Sequence, residues 1–295
     1  MSANAANDKA TRDKLIQRSR YACANNSYLS GLNKTRAHDM IGSGPRLQLS
    51  VERFEDNARK IEKTFTAWMR ASGMVDKCRV MTETEGRDGE GFGLLITNPK
   101  VRHAVKLDVR LIEAEQVAAP FSLLFQSDEV DGIKYDEFGN AISYTILKDH
   151  PGGGFTLFSD YTTVDASKIL HWYRPDRPGQ GRGVTQYQPI LETAEILRRY
   201  TKAELLKNEF AANVSGVLYT DQPPGDAVTE GASWERIEIE RNALLSAPAG
   251  YRAEQFDAAA TSGTFAEFKR EALNEIGRCV CAPLNVVSAE NTPAV

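Results

Sequence analysis

One stretch constrains this chain more than any other: Ile169 to Leu191, ILHWYRPDRPGQGRGVTQYQPIL. A short apolar run ends in His171-Trp172-Tyr173, and a segment dense in Pro, Gly and Arg follows, from Arg174 to Gly183. Pro175 and Pro178 fix φ and lack an N–H, while Gly179, Gly181 and Gly183 allow backbone that other residues resist. Neither a strand nor a helix runs through such a segment, so it predicts a sharp elbow from a strand into a helix. Arg174, Arg177 and Arg182 bring three guanidinium groups to it against one carboxylate, Asp176.

The pattern on the two sides of the elbow differs. Before it, residues 8 to 41 read as helix broken near Asn25-Asn26, with Ser27 as cap of the second piece and Gly42 as stop. Val51, Phe54, Ala58, Ile61, Phe65, Trp68 and Met69 then repeat at helical spacing, with Ser50 able to cap and Gly73 closing the run. A shorter helix is expected over 75 to 85. Strand signals dominate from Gly91 to Tyr173: Phe92–Thr97, Lys106–Ala114, Gly132–Tyr135, Ala141–Leu147 and Lys168–Tyr173, with Asp136 to Asn140 as a hairpin turn and Lys148 to Ser159 as a flexible loop. After the elbow, Thr185 to Asn213 reads as one long helix. Gly216–Tyr219 and the region of Trp234, Ile237 and Ile239 read as short strands, and a last helix covers Thr264 to Cys281. Helices, a small sheet, then long helices around a small β insert make an α+β fold.

At 295 residues the chain can build one large domain or two smaller ones. A net charge of −4 argues against a surface that grips nucleic acid all over, though not against one that lets DNA slide past. No apolar run reaches the roughly 18 residues of a membrane span, and the N-terminal MSANAANDKATRDK has no apolar signal core. Cys23, Cys78, Cys279 and Cys281 form no paired CxxC, so they read as buried free thiols of a reducing compartment rather than as a zinc site.

The chemistry-bearing candidates thin out on inspection. Gly89-Glu90-Gly91-Phe92-Gly93 follows a helix and precedes a strand, the reverse of a phosphate-cradling loop, and reads as a plain turn. Asp128, Asp131 and Asp136 lack the register and closing glutamate of a calcium loop. His38, His103, His150 and His171 make no HExxH pair, and His171 reads as a half-buried, hydrogen-bonded residue beside Trp172. No G-x-S-x-G elbow occurs. Glu113 and Glu115 sit two apart on an expected strand, hence on one face, and read as solvated. These residues supply no catalytic constellation, metal site or cofactor. Arg174, Arg177 and Arg182 remain the one cluster with partner chemistry. Their forks suit phosphate or a carboxylate across a subunit boundary, and equally a set of pairs within the chain that pins the elbow.

The elbow carries a resemblance. His171-Trp172-Tyr173-Arg174-Pro175 with Arg177-Pro178-Gly179-Gln180-Gly181-Arg182-Gly183-Val184 closely resembles a motif of the lambda-type phage portal proteins. Weaker pieces fall in the same order: Arg18-Ser19-Arg20, Asn25-Asn26, Tyr28-Leu29, Asp39 to Pro45, Trp68, Asp88 to Phe92, Leu111 to Glu115, Asp136 to Ala141, Glu204-Leu205, Ile276 to Arg278 and Pro283-Leu284.

The resemblance implies a structural subunit without catalytic residues, cofactor or metal. It would form a homo-oligomeric ring, typically of twelve copies, at a phage head vertex. Double-stranded DNA would pass non-specifically through its channel during packaging and ejection. Implied partners are the terminase large subunit, head–tail connector proteins and the major capsid or scaffold protein, in the virion and, during assembly, the host cytoplasm. On that template 1–184 is a wing-like α+β body with a small, mainly antiparallel sheet, 185–213 a stem-like helix and 214–250 a β-containing clip. Residues 251–295 are a returning, tunnel-side helix and tail. Arg174, Arg177, Gln180 and Arg182 become candidates to face a neighbouring subunit or DNA, and Pro175, Pro178, Gly179, Gly181 and Gly183 the structural elbow. Lambda-type portals normally continue past the position of Val295, so the family's C-terminal region is expected to be absent. Two other readings compete: a phosphate-handling, nuclease-like enzyme centred on the elbow arginines, and a helical adaptor that binds a partner.

Overall fold

The computed structural model describes residues 1–50, 55–119, 129–152, 160–213, 217–219, 252–254 and 263–289. The N-terminal helices are α1 (Ala3–Ala6), α2 (Lys9–Asn25) and α3 (Ser27–Ile41). The break between α2 and α3 falls where expected, but the cap is Asn26 and not Ser27: its Oδ1 accepts from the backbone N–H groups of Tyr28 and Leu29 at 3.0 and 3.3 Å. Asn26 holds extended backbone, and its amide also donates to the carbonyl of Ala194 at 3.3 Å, so tertiary context chose the earlier residue. Then come α4 (Glu55–Ala71) and α5 (Met74–Asp88). The cap proposed at Ser50 belongs to a helix start that lies outside the described residues.

The strands are β1 (Glu90–Thr97), β2 (Leu107–Ile112), β3 (Glu129–Val130), β4 (Ile133–Tyr135), β5 (Ala141–Leu147), β6 (Tyr161–Asp165) and β7 (Ile169–Tyr173). They form two antiparallel sheets, ordered β2-β1-β7 and β3-β4-β5-β6. The Asp136–Asn140 turn joins β4 to β5, with the Asp136 carboxylate accepting from the N–H groups of Phe138 and Asn140. β3 and β6 have no counterpart in the sequence reading. One is two residues long, and the other, YTTVD, is polar and exposed and carries no alternation.

The β2-β1-β7 sheet has a different neighbour on each face. Phe92, Ile112, Ala114, Val117, Ile133 and Tyr144 meet Ile16 of α2 in one core. Val109, Leu95 and Leu111 meet Met69, Met74, Phe65 and Trp68 of α4 and α5 in the other. The glycine run that reads as a turn is the start of β1. A Cβ on Gly91 would meet the Met81 carbonyl at 3.2 Å, so its glycine lets α5 lie close to the sheet.

Thr185–Tyr187 are not helical: Thr185 and Tyr187 are buried in the body. A 3-10 turn over Gln188–Ile190, with Pro189 in it, precedes α6 (Leu191–Asn213), which therefore starts six residues later than expected. β8 (Val217–Tyr219) pairs antiparallel with β9 (Arg252–Glu254). The expected strand around Trp234–Ile239 lies outside the described residues. α7 (Gly263–Cys279) ends two residues early, because Cys281 takes φ +56° and the N–H of Ala282 folds back to the Gly277 carbonyl. A short α8 (Leu284–Ser288), without a counterpart in the sequence reading, follows Pro283 and buries Val287.

The chain divides into two compact units, one of 1–195 with 272–295 and one of 196–271. In the second, Tyr200 sets its ring near Phe265 and Phe268, centroids 5.7 and 4.7 Å away. Among the described residues no helix is long and apolar enough to cross a membrane. All four cysteines are free. Cys23 is buried as expected and Cys281 is exposed, which that expectation missed.

Candidate functional site

The elbow divides at Gln180. Arg174 to Gly179 are exposed, whereas Gln180 to Gly183 are buried. Gly179 is the hinge of the turn and the elbow glycine that takes positive φ, +74°. Gly183 is glycine for a different reason: a Cβ there would lie 2.1 Å from the carbonyl oxygen of Gly89, backbone against backbone. The buried limb is pinned throughout. Gln180 Oε1 accepts from the N–H of Asp176 and Arg177 at 3.0 and 3.2 Å, while its Nε2 donates to the Arg182 carbonyl at 2.9 Å. Tyr135 donates to the Gly181 carbonyl (2.9 Å), and the Gly181 N–H donates to Asn4 (2.8 Å). Asn7 donates to the carbonyls of Arg182 and Gly183.

Arg182, 1% exposed, sits at the centre of the first unit. All five of its N–H donors have acceptors. Nε and Nη2 fork onto the Glu90 carboxylate (2.9 and 2.6 Å), and Nη2 also reaches the Ala114 carbonyl (3.0 Å). Nη1 donates to the Val117 carbonyl at 2.9 Å and to the Asp131 carbonyl at 2.5 Å. Glu90 is wholly buried at the first position of β1, and accepts as well from the Gly183 N–H (2.9 Å) and from His171 Nε2 (3.1 Å). Arg12 of α2 pairs with Asp131 and stands 3.8 Å from Glu90. Two guanidinium groups and two carboxylates thus neutralise one another out of water, the condition under which buried charge is tolerated.

The protonation states follow from the surroundings. Burial alone would raise the Glu90 carboxyl, but the charge of Arg182 and the hydrogen bonds from His171 and Arg182 outweigh it and hold the group far below the carboxylate range. Burial lowers His171, against the pull of Glu90, so the ring is neutral. It then donates through Nε2 to Glu90 and accepts at Nδ1 from the Tyr144 hydroxyl at 3.4 Å. It is stacked between Phe92 and Tyr173, centroids 4.3 and 4.2 Å away, more deeply buried than its place beside Trp172 implied. Burial and the neighbouring Arg182 charge bring Arg12 down to about 10.

A second cluster lies along α2. Arg20 is bidentate to Asp88 (3.1 and 2.8 Å) and to Glu115 (3.0 and 2.8 Å), and reaches Glu113 at 3.2 Å. Arg87 also forks onto Asp88. Glu113 and Glu115 are not on a strand: Glu113 caps a 3-10 turn over Ala114–Gln116, which turns both carboxylates toward Arg20. With His150 they are the one group among the described residues whose atoms lie close enough to share a metal ion. Arg20 already occupies both carboxylates.

Two of the four elbow candidates are therefore corrected. Arg182 and Gln180 face neither solvent nor a neighbour; a buried carboxylate and the loop's own backbone take their donors. Arg174 and Arg177 are exposed, and Arg177 makes one bond, to the Met1 carbonyl at 3.2 Å. Sequence reasoning missed Glu90, Asp131 and Arg12 as Arg182's companions. The available signal was an acid between two glycines at a strand start, Gly89-Glu90-Gly91; the positive φ of Asp131, +42°, is visible only in the structure. The buried clusters offer no free base or nucleophile.

Comparison with known proteins is consistent with this scaffold. The model of the lambda family of phage portal proteins matches residues 1–292. A probable portal protein of Halomonas phage phiHAP-1 is 25% identical over 288 residues, covering 90% of this chain and 55% of the relative. The chain thus spans about half the length of that curated relative. Among solved structures, the virion of a native gene transfer agent particle aligns with TM-score 0.59 at 14% identity, covering 95% of this chain and 71% of that chain. The neck of the native particle computed with C12 symmetry aligns with TM-score 0.57 at 14% identity, covering 97% and 71%. At such identities the likeness is one of fold.

Proposed function

Since the chain belongs to the lambda family of phage portal proteins, we propose that it is the structural subunit of a portal ring. That ring forms the channel at a phage head vertex through which DNA is packaged and ejected and to which the tail is joined. The observation that carries the reading is the family match along 1–292. The fold likeness to a twelve-fold particle neck supports it. In this role residues 1–184 are the wing-side body, and α6 descends as a stem helix toward a clip over 214–250. α7 returns along the tunnel side. The partners are further copies of the chain, the terminase large subunit, head–tail connectors and the capsid or scaffold protein. The subunit does no covalent chemistry.

The buried charge cluster suits such a part. A ring that transmits force from a motor needs a subunit whose body does not yield. Ion pairs linking α2, β1, the β3–β4 turn and the elbow tie distant residues, Glu90 to Arg182 and Arg12 to Asp131, into one block. Negative-stain electron microscopy of the purified chain tests the reading. Rings with a central hole are expected, and particles that stay monomeric at every concentration would overturn it.

A further inference from the structure

The chain is acidic overall, yet one face of the first unit is not. α4 buries Ala58 and Met69, and packs the half-buried Phe65 and Trp68 into the core that Met69 shares with the sheet and α5. At helical spacing the opposite, exposed face carries Arg59, Lys60, Lys63 and Arg70, with Asp56 as the exposed acid among its described side chains. Glu62 is half-buried and accepts from the Leu49 N–H at 2.8 Å. The Trp68 indole donates to the Leu107 carbonyl at 2.9 Å, which fixes the β1–β2 hairpin loop beside this helix. That loop bears Lys100, Arg102 and Lys106, and the sequence holds no carboxylate between Glu90 and Asp108. Asp108 is itself taken by Lys77 and, at 2.8 Å, by Asn98. The side chains of Lys60, Lys63, Arg70, Lys100 and Arg102 make no ion pair or hydrogen bond among the described residues. Elsewhere in this unit Arg12, Arg20, Arg36, Arg87 and Arg182 are all paired.

We propose that this face, the outer side of α4 with the β1–β2 loop, binds the phosphate backbone of double-stranded DNA without reading its sequence. Protein interfaces concentrate aromatic residues and avoid lysine at their centres; here the cations are separated by Thr64, Thr66 and Ala67. A membrane-surface helix would offer a continuous apolar face to lipid, whereas Phe65, Trp68 and Met69 of α4 pack into the core and leave Ile61 as its exposed large hydrophobic side chain. What remains fits a line of phosphates. Lys60 to Arg70 spans about 15 Å of helix, which faces roughly four phosphates of one strand. Lysine and arginine contacts to phosphate are independent of sequence and strongly salt-dependent. The inference rests on the portal reading for the identity of the polymer.

The test is fluorescence anisotropy of a labelled 30-base-pair duplex against the full chain, from 50 to 200 mM salt. It compares the native protein with K60Q/K63Q/R70Q and with R174Q/R177Q. These are exposed positions where neutral residues leave the fold intact, checked by circular dichroism. Each phosphate contact adds about 0.9 to the slope of log K against log salt. The α4 variant is expected to lose about 2.7 of that slope, so the native affinity falls about 40-fold more across this salt range. R174Q/R177Q should keep the native slope. An unchanged slope in the α4 variant, or a loss confined to R174Q/R177Q, overturns the proposal. Microscopy of the same preparations separates the two readings. Rings with an unchanged slope remove the patch and leave the portal, whereas a lost slope without rings does the reverse.

Discussion

Arg177 and Arg182 lie five residues apart in one loop and have opposite fates. Arg177 stands in solvent and bonds a single carbonyl. Arg182 is enclosed, with every donor matched and its charge cancelled by Glu90 and Asp131. Neither the residue type nor its Pro/Gly surroundings distinguish them. The difference lies in what the chain places opposite: a buried acid for one and water for the other. An arginine cluster in a turn is therefore not one site, and its members have to be sorted by partner before any is given a role.

Truncation should separate the two limbs most clearly. Arg182→Ala leaves Glu90 and Asp131 to share the one guanidinium of Arg12, so that one buried carboxylate is uncompensated, and breaking a buried pair in this way costs about 3–5 kcal/mol. Chemical denaturation should show a chain that unfolds at far lower denaturant or accumulates insoluble. A double-mutant cycle with Glu90→Gln sharpens this: single losses that add without coupling would mean that the pair contributes nothing as a pair. Next in size is Gly183→Ala, whose methyl would be driven into the Gly89 carbonyl; overpacking of this kind costs about 1–3 kcal/mol. Gly179→Ala meets open space and should lose only the smaller cost of its positive φ, visible as a modest shift in melting temperature.

A pH series probes the buried limb alone. His171 is lowered and Glu90 is lowered, so in both cases the unfolded chain takes up the proton first. Stability is then full at neutral pH and falls with acid. The loss begins as pH drops through about 6.5 for the histidine and deepens below about 4.5 for the carboxylate. His171→Gln, which can still donate to Glu90 but does not titrate there, should flatten the first part of that fall. A profile unchanged by the substitution would show that His171 is not its source. The smallest effect belongs to the exposed limb: replacing Arg174 and Arg177 by Gln should leave the melting temperature within the scatter of repeats.

Much of the fold is legible because its signals are local. The helical spacing of Ala58, Phe65, Trp68 and Met69 found α4, a run of β-formers bounded by turn residues found β5, and Asp136 to Asn140 announced the hairpin that β5 makes with β4. Where reading failed, something distant had decided. Asn26 displaced Ser27 as the cap while bonding to Ala194. Thr185 and Tyr187 were drawn out of the expected helix into the body, where Thr185 donates to the Gly86 carbonyl and Tyr187 to Asn33. Glu113 and Glu115 left the expected strand for a 3-10 turn facing Arg20. β3 and β6 are too short or too polar to show alternation, and pairing with β4 and β5 makes them strands.

The candidate site divides in the same way. By itself the sequence determined that a strand must stop at Tyr173, that a rigid Pro/Gly elbow follows, and that the elements are those of an α+β chain resembling lambda-type portals. Those are consequences of backbone freedom and periodicity, which act over a few residues. Tertiary structure alone decided which arginine is buried, because Arg182 is satisfied by residues 51 to 92 positions away. Burial is a property of the assembled core, and no local pattern encodes which acid will be waiting there.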